Sequence, residues 1–267
     1  MNKNKIALLA GGGAFPEILS ERLYNLGILS LVIVLQGNKE RFNFPEGIVY
    51  ESAPGKINKI LGLLRKNKIN KVIMIGKIDK TAFLERKGFD LKAFQLLKKL
   101  KEGKDMSIFH AIQEELSGIG VEILPQDKYL GDIIVKKGVI TERKPSKNEM
   151  QDAEYGLKYA KQLASMDIGQ AVVVKNKVIT AVEAIEGTNE TIRRGALLSK
   201  TGSVVCKAAR SKQDKRFDIP GVGLETLKIM AEHKCSLLAL EANSIFVVNP
   251  EEVIKYADSK KITIIGI

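Results

Sequence analysis

The sequence predicts an α/β protein of two domains: an N-terminal Rossmann-like parallel sheet, then a C-terminal α/β domain. Three observations carry this. Short apolar runs of β type alternate with amphipathic stretches through the first half, the pattern of parallel strands joined by right-handed helical crossovers. The texture changes at 131–147, where "GDIIVKKGVITERKPSK" mixes glycines, a proline and clustered charge. Finally, 267 residues, 45% of them apolar, are long for one domain and enough for two ordinary cores. The expected organisation is a Rossmann-like domain at 1–130, a linker at 131–147, and a C-terminal domain at 148–267 that carries the acidic motif described below.

The elements follow in order. "KIALLA" (Lys5 to Ala10) reads as a buried strand, and "FPEILSERLYNLG" as a helix with Pro16 in its first turn and Gly27 past its end. "LSLVIVLQ" is a second strand, and "GKINKILGLLRKNKI" a helix with apolar residues at 57, 60, 61 and 64. "KVIMIG" is the third strand; helices are expected around 89–101 and 104–117, and a strand at 121–125. In the second half a helix spans about 148–165, and "AVVVKNKVITAVEAIEG" reads as a hairpin turning at its Lys-Asn-Lys centre. A helix at about 188–198, the strand "SVVCKAA", a helix at about 221–233, the strands "SLLALEA" and "SIFVVN", a helix at 250–259 and the strand "KITIIGI" complete the domain.

Composition excludes several classes. The longest apolar stretch, "GILSLVIVL", is far short of the roughly 20 residues a spanning helix requires. Three glycines follow the first apolar run instead of a cleavable leader. Cys206 and Cys235 stand apart from any CxxC, which suits a reducing cytoplasm and not a zinc site. The net charge of +12 comes from 43 basic residues, of which 34 are lysines scattered through the chain, so no nucleic-acid partner is expected. Arginine is the rarer choice, and Arg193, Arg194, Arg210 and Arg216 fall close together. A guanidinium grips phosphate or carboxylate with two hydrogen bonds, which lysine cannot do, so an anion site is expected there.

Four stretches carry candidate chemistry. "LLAGGGAFPE" places Gly11, Gly12 and Gly13 between the first strand and a helix start, where backbone can approach a phosphate. It is not a dinucleotide fingerprint, because Pro16 takes the last glycine position and Gln36 stands where a ribose-binding acid belongs. A ligand-free tight turn is the alternative. "VIMIGKIDK" brings Gly76, Lys77 and Asp79 to the end of the third strand, beside the same crevice. "EGKDMS" adds Lys104 and Asp105, the latter equally readable as an N-cap. "AVEAIEGTNETIRRG" offers Glu183, Glu186, Thr188 as an N-cap, and Arg193 and Arg194, with ordinary surface ion pairs as the alternative. "QDKRFDIPGVG" sets Asp214 and Asp218 on a loop around Arg216, since Pro220 argues against helix. Ionised carboxylates of this kind are good oxygen ligands for Mg²⁺ or Mn²⁺, and an adjacent arginine can hold a phosphate the metal polarises. His110 and His233 are too isolated for a histidine-based hydrolase, and no serine sits in a GxSxG elbow.

Together "GGGAFP", "IGKIDK", "QAVVVKNKVITAVEAIEGTNETIRR", "KAARSKQDKRFDIPGVGLETL" and "ADSKKITIIGI" resemble the LpxI-type UDP-2,3-diacylglucosamine pyrophosphatases of lipid A biosynthesis, over nearly the whole chain and in order. Gly221-Val222-Gly223 and Gly103-Lys104-Asp105 depart from the family's usual residues. The resemblance implies metal-dependent hydrolysis, with Mg²⁺ or Mn²⁺, to UMP and 2,3-diacylglucosamine 1-phosphate (lipid X), at the cytoplasmic face of the inner membrane. It matches the essential acid to Asp218, with Asp214 second, as catalytic and metal-holding residues. Substrate binding is expected from Gly11, Gly12, Gly13, Gly76, Lys77, Glu186, Thr188, Arg193, Arg194, Gln213 and Arg216. A homodimer, a hydrolase of a non-acylated sugar nucleotide and a non-catalytic nucleotide-binding protein remain open alternatives.

Overall fold

Five apolar residues in a row, Ile6–Ala10, form β1 and are buried along their whole length. In a computed structural model that describes residues 5–78, 88–99, 105–210, 214–216 and 219–267, β1 is the middle of a five-stranded sheet. Its neighbours are β2 (Leu29–Val34), β3 (Val49–Glu51), β4 (Lys71–Ile75) and β5 (Glu122–Ile123), in the order β3-β2-β1-β4-β5 with every pairing parallel. Such strands are apolar throughout because helices cover both faces. The described helices of this sheet are α1 (Phe15–Asn25), α2 (Ile57–Lys66), α3 (Leu91–Lys99) and α4 (Asp105–Ser117). As the spacing predicts, α2 turns Ile60, Leu61 and Leu64 inward, onto Ala7, Leu9, Leu31 and Ile33. The strand expected at 121–125 is shorter: Glu122 and Ile123 lie in register with β4, and Leu124 adds one hydrogen bond to Val72 O at 2.8 Å before Pro125 ends the run. Strand order reverses at β1, so the carboxyl ends of β1 and β4 flank the switch point where open α/β sheets gather ligands.

The second sheet is mixed, with the order β6 (Gly138–Val139), β13 (Thr263–Gly266), β11 (Leu237–Leu240), β9 (Val204–Lys207), β7 (Ala171–Lys175), β8 (Val178–Val182). Parallel β9, β11 and β13 form its centre. The hairpin of β7 and β8 is antiparallel on one side, and β6 is antiparallel on the other. Residues 138–139, inside the expected linker, are thus an edge strand of this sheet. β10 (Gly221–Val222) and β12 (Phe246–Val247) make a separate parallel pair. The helices are α5 (Lys147–Ser165), α6 (Thr188–Ser199), α7 (Leu224–Glu232) and α8 (Pro250–Ser259). The helix expected from 221 begins only after Gly223, because Gly221 and Val222 take backbone partners on β12. Chain contacts group Met1–Leu130 with Asp214–Asp218, and Gly131–Gln213 with Ile219–Ile267.

Two local devices hold the second unit. Asn176 and Lys177 both have positive φ (51° and 59°), the twisted two-residue turn that suits a hairpin. Lysine tolerates this poorly, but buried Asp152 on α5 accepts both turn N–H groups, at 2.8 and 2.6 Å. At the start of α5, Ser146 and Glu149 form a capping box, and Glu149 also takes Nη2 of Arg143 at 2.7 and 2.9 Å. The other Arg143 nitrogen reaches the Thr263 hydroxyl at 2.6 Å, tying the helix start to β13. Burial pushes the Glu149 carboxyl up, but the Ser236 hydroxyl beside it, with the hydrogen bonds it accepts from Ser146 and Arg143, outweighs that and holds it below the usual range. Among the described residues, no helix is long and apolar enough to cross a membrane.

Candidate active site

The glycines at the strand ends have a packing reason. Gly11 N–H donates to Ile75 O at 2.8 Å, and Gly12 and Lys77 exchange backbone hydrogen bonds of 2.7 and 2.9 Å. The segments leaving β1 and β4 therefore run against each other. A Cβ on Gly11 would lie 2.6 Å from the Gly76 carbonyl carbon, and one on Gly76 would lie 2.7 Å from both Gly12 O and Pro16 Cγ. Gly76 also has φ of +94°, which a side chain would strain. Gly13 differs, with open space where its Cβ would be, and the Arg41 guanidinium binds its carbonyl while pairing with Glu17 on α1. Arg41, remote in sequence from the glycines, was not among the expected site residues.

Residues 214–216 pack with this same unit. Asp214 Oδ1 accepts the Arg216 backbone N–H at 2.9 Å and its Nε at 2.9 Å, and Oδ2 accepts Nη2 at 2.6 Å. The short turn and the forked ion pair thus share one carboxylate. Arg216 holds that carboxyl below the usual range, with a smaller contribution from His110. The guanidinium carbon lies 5.4 Å from the ring centre of Phe109, a fully buried residue of α4. Between them, Lys215 accepts Gln126 N–H at 2.7 Å on its carbonyl and pairs with Asp127 through Nζ at 2.5 Å. Buried Gln126 also donates its side-chain amide to Met74 O at 2.6 Å, linking the segment to the carboxyl end of β4. Within the first unit the structure thus brings 214–216 to the sheet edge that carries Gly11–Gly13, Gly76 and Lys77. Gln126 and Phe109 were not foreseen; a glutamine directly after the Pro125 strand end was the only trace.

The described residues do not by themselves make a divalent-metal site. No three His, Cys, Asp or Glu side chains converge among them, and Asp214 commits both oxygens to Arg216. Asp218, Gln213, Asp79 and Lys104 lie outside the described residues.

The second unit gathers the other candidates around α6. Its N-cap is Gly187, with φ of 83°, so Thr188 is the first helical residue and not the cap the sequence suggests. The Thr188 hydroxyl donates to Glu183 Oε1 at 2.8 Å and accepts from Lys207 Nζ at 2.9 Å, and Lys207 also donates to Gly221 O at 3.1 Å. Lys207 is 92% buried at the carboxyl end of β9, a burial a lysine accepts only where its ammonium has hydrogen-bond partners, and sequence reasoning passed over it as one more strand residue. Glu183 closes the network by accepting Gln170 N–H at 3.0 Å. Glu186 receives Arg194 Nη2 at 2.7 Å, and Arg193 pairs with Glu190 one turn away. Its own backbone N–H, helped by Arg194 and Thr191, holds the Glu186 carboxyl low. Glu186, Glu190, Arg193 and Arg194 line a shallow depression on α6 beside exposed Leu197 and Leu198.

Comparison with known proteins agrees with both units. Residues 5–133 match the LpxI N-terminal domain, and residues 136–265 match the LpxI C-terminal domain. The chain is also 28% identical to the UDP-2,3-diacylglucosamine pyrophosphatase LpxI of Caulobacter vibrioides, over 98% of this chain and 97% of that protein. With both of its domains matched in order from near the first residue to near the last, the chain belongs to the LpxI family.

Proposed function

We propose that this protein hydrolyses the pyrophosphate of UDP-2,3-diacylglucosamine to UMP and 2,3-diacylglucosamine 1-phosphate (lipid X), a step of lipid A synthesis. The observation that carries the reading is the match of both LpxI domains along the chain, joined to a relative of nearly equal length named for that activity. The arrangement at the first sheet is compatible with it: an arginine-bearing acidic segment is held at the carboxyl edge of a parallel sheet, where phosphates are ordinarily bound.

In this reading Asp218 is the essential acid. Arg193, Arg194, Glu186 and Thr188 contact substrate, as do Gln213 and the glycine-bearing strand ends, while Arg216, first expected among them, serves them by position. Dependence on Mg²⁺ or Mn²⁺ belongs to the reading through the family resemblance, and no step is routed through the ion. The protein works at the cytoplasmic face of the inner membrane and attaches there only transiently, because its substrate carries acyl chains.

The test is UMP release from the diacylated substrate, with UDP-N-acetylglucosamine as the non-acylated control, in EDTA and after Mg²⁺ or Mn²⁺ is restored. Turnover of the diacylated compound alone, lost in EDTA and restored by metal, is the expected result. Equal turnover of both substrates favours a soluble sugar-nucleotide hydrolase, and retained nucleotide without turnover under any metal overturns the reading.

A further inference from the structure

Resting on that reading, we infer that Asp214 and Arg216 act as a positioning pair, a clip that docks their segment on the first unit, and that Asp214 is not a metal ligand. A carboxylate available to a cation must turn at least one oxygen away from other cations. Asp214 turns neither away: Oδ1 meets the backbone N–H and Nε of Arg216, and Oδ2 meets Nη2. The fork in turn fixes the guanidinium plane, whose carbon stands 5.4 Å from the centre of the buried Phe109 ring. A planar, weakly hydrated cation suits that place, and a lysine ammonium would lose both the fork and the stacking.

Lys215, between the pair, is fastened by its carbonyl to Gln126 N–H at 2.7 Å and by its ammonium to Asp127 at 2.5 Å. Gln126 is anchored to β4 through Met74 O, so three consecutive residues have three separate attachments to one unit. This density of contact goes beyond what an isolated surface ion pair provides, since such a pair contributes little alone. The clip fixes the point from which the chain runs on toward Asp218, two residues beyond Arg216 in the sequence.

Two measurements test this, one without any activity. In native limited proteolysis with trypsin, cleavage after Lys215 and Arg216 should be slow in the natural protein; it should be at least several-fold faster after both residues in Asp214→Asn and after Lys215 in Arg216→Gln, which removes the second site, with unchanged thermal melting. Rapid cleavage of the natural protein at those bonds overturns the docked clip, whatever the enzyme hydrolyses. In the UMP-release assay each substitution should lower kcat about 10-fold to 100-fold, the scale of a misplaced reacting group, with KM little changed. Combined, they should cost no more than the worse single substitution.

The Mg²⁺ concentration for half-maximal rate should stay where it is in all three variants, and Arg216→Lys should fail to restore turnover. A metal requirement raised by Asp214→Asn but not by Arg216→Gln makes Asp214 a ligand and overturns the inference, as do additive losses or full activity in Arg216→Lys. If the natural protein hydrolyses nothing, the functional reading fails and proteolysis alone decides the clip.

Discussion

Two groupings of acid and arginine, one at Asp214 and Arg216 and the other beside α6, differ in what surrounds them. At Asp214 and Arg216 one carboxylate receives a backbone N–H and a forked guanidinium that lies over a buried ring, and the acid side chain is only 20% exposed. On α6 the pairs Glu186 with Arg194 and Glu190 with Arg193 stand on an open helix face, with the arginine side chains 52% and 38% exposed. Residue types and spacing look alike in the sequence. What separates the clip is its aromatic partner, the buried Phe109 ring supplied by distant sequence; on the open face Arg194 reaches only the Val182 carbonyl, twelve residues back, at 2.9 Å.

The largest expected effect is at Asp218, two residues beyond the docked pair in the sequence. Asp218→Ala is expected to reduce UMP release by about 10²–10³, the cost of losing one transition-state contact, while leaving substrate bound. A rate within tenfold of the natural enzyme at saturating Mg²⁺ would remove Asp218 from the chemistry.

A second test concerns the sheet edge on which the segment sits. Gly76→Ala forces a Cβ against Gly12 O and Pro16 at a φ of +94°, so about 1–3 kcal/mol of stability should be lost, read as earlier urea unfolding with faster amide exchange in β1 and β4. Unchanged exchange there would mean that the crossing backbones can part without cost.

The third sharpens the comparison with a partly buried acid of the second unit. The Glu149 carboxyl is held below its ordinary value of 4.5, so its bridge to Arg143 contributes stability that is complete above the unfolded pKa and lost as pH falls through the lower, folded one. Natural protein should therefore lose stability to urea as pH falls below about 4.5. Glu149→Gln should be weaker at pH 7 and show a flatter acid limb; parallel curves for the two proteins would refute the assignment.

The smallest effects belong to the open helix face. Arg193→Ala and Arg194→Ala should each change stability by less than about 1 kcal/mol, as exposed pairs do, and should raise KM with kcat unchanged if they hold substrate. An unmoved KM takes both out of the site and leaves them as solvated bridges.

Much of the first unit was legible in the sequence because its strands are apolar on both faces and its glycines punctuate strand ends. β1, α2 and β4 stand where their patterns put them, and so does the hairpin at Asn176. Short pairings were harder: β10 reads as a helix start because Gly221 and Val222 take their partners from β12, some 25 residues on. The glycines at 11 and 76 were recognised as a close approach, but sequence does not say that each approaches the other. Gln126, Phe109 and Lys207 escaped because their roles depend on a partner far along the chain: Lys215, Arg216 and Thr188 respectively. Local periodicity carries no record of such pairs.

The docked segment also imposes an order on biosynthesis. A ribosome finishes the strands of the first sheet long before it reaches Asp214, and the whole stretch Gly131–Gln213 is made in between. At about 5–20 residues per second the wait is on the order of ten seconds. During it Phe109 and Gln126 have no Arg216 or Lys215 to meet. The nascent first half must therefore keep an apolar ring and an amide edge waiting for a strip of chain not yet synthesised, and an early stop anywhere before residue 214 leaves a complete sheet that is permanently unclipped.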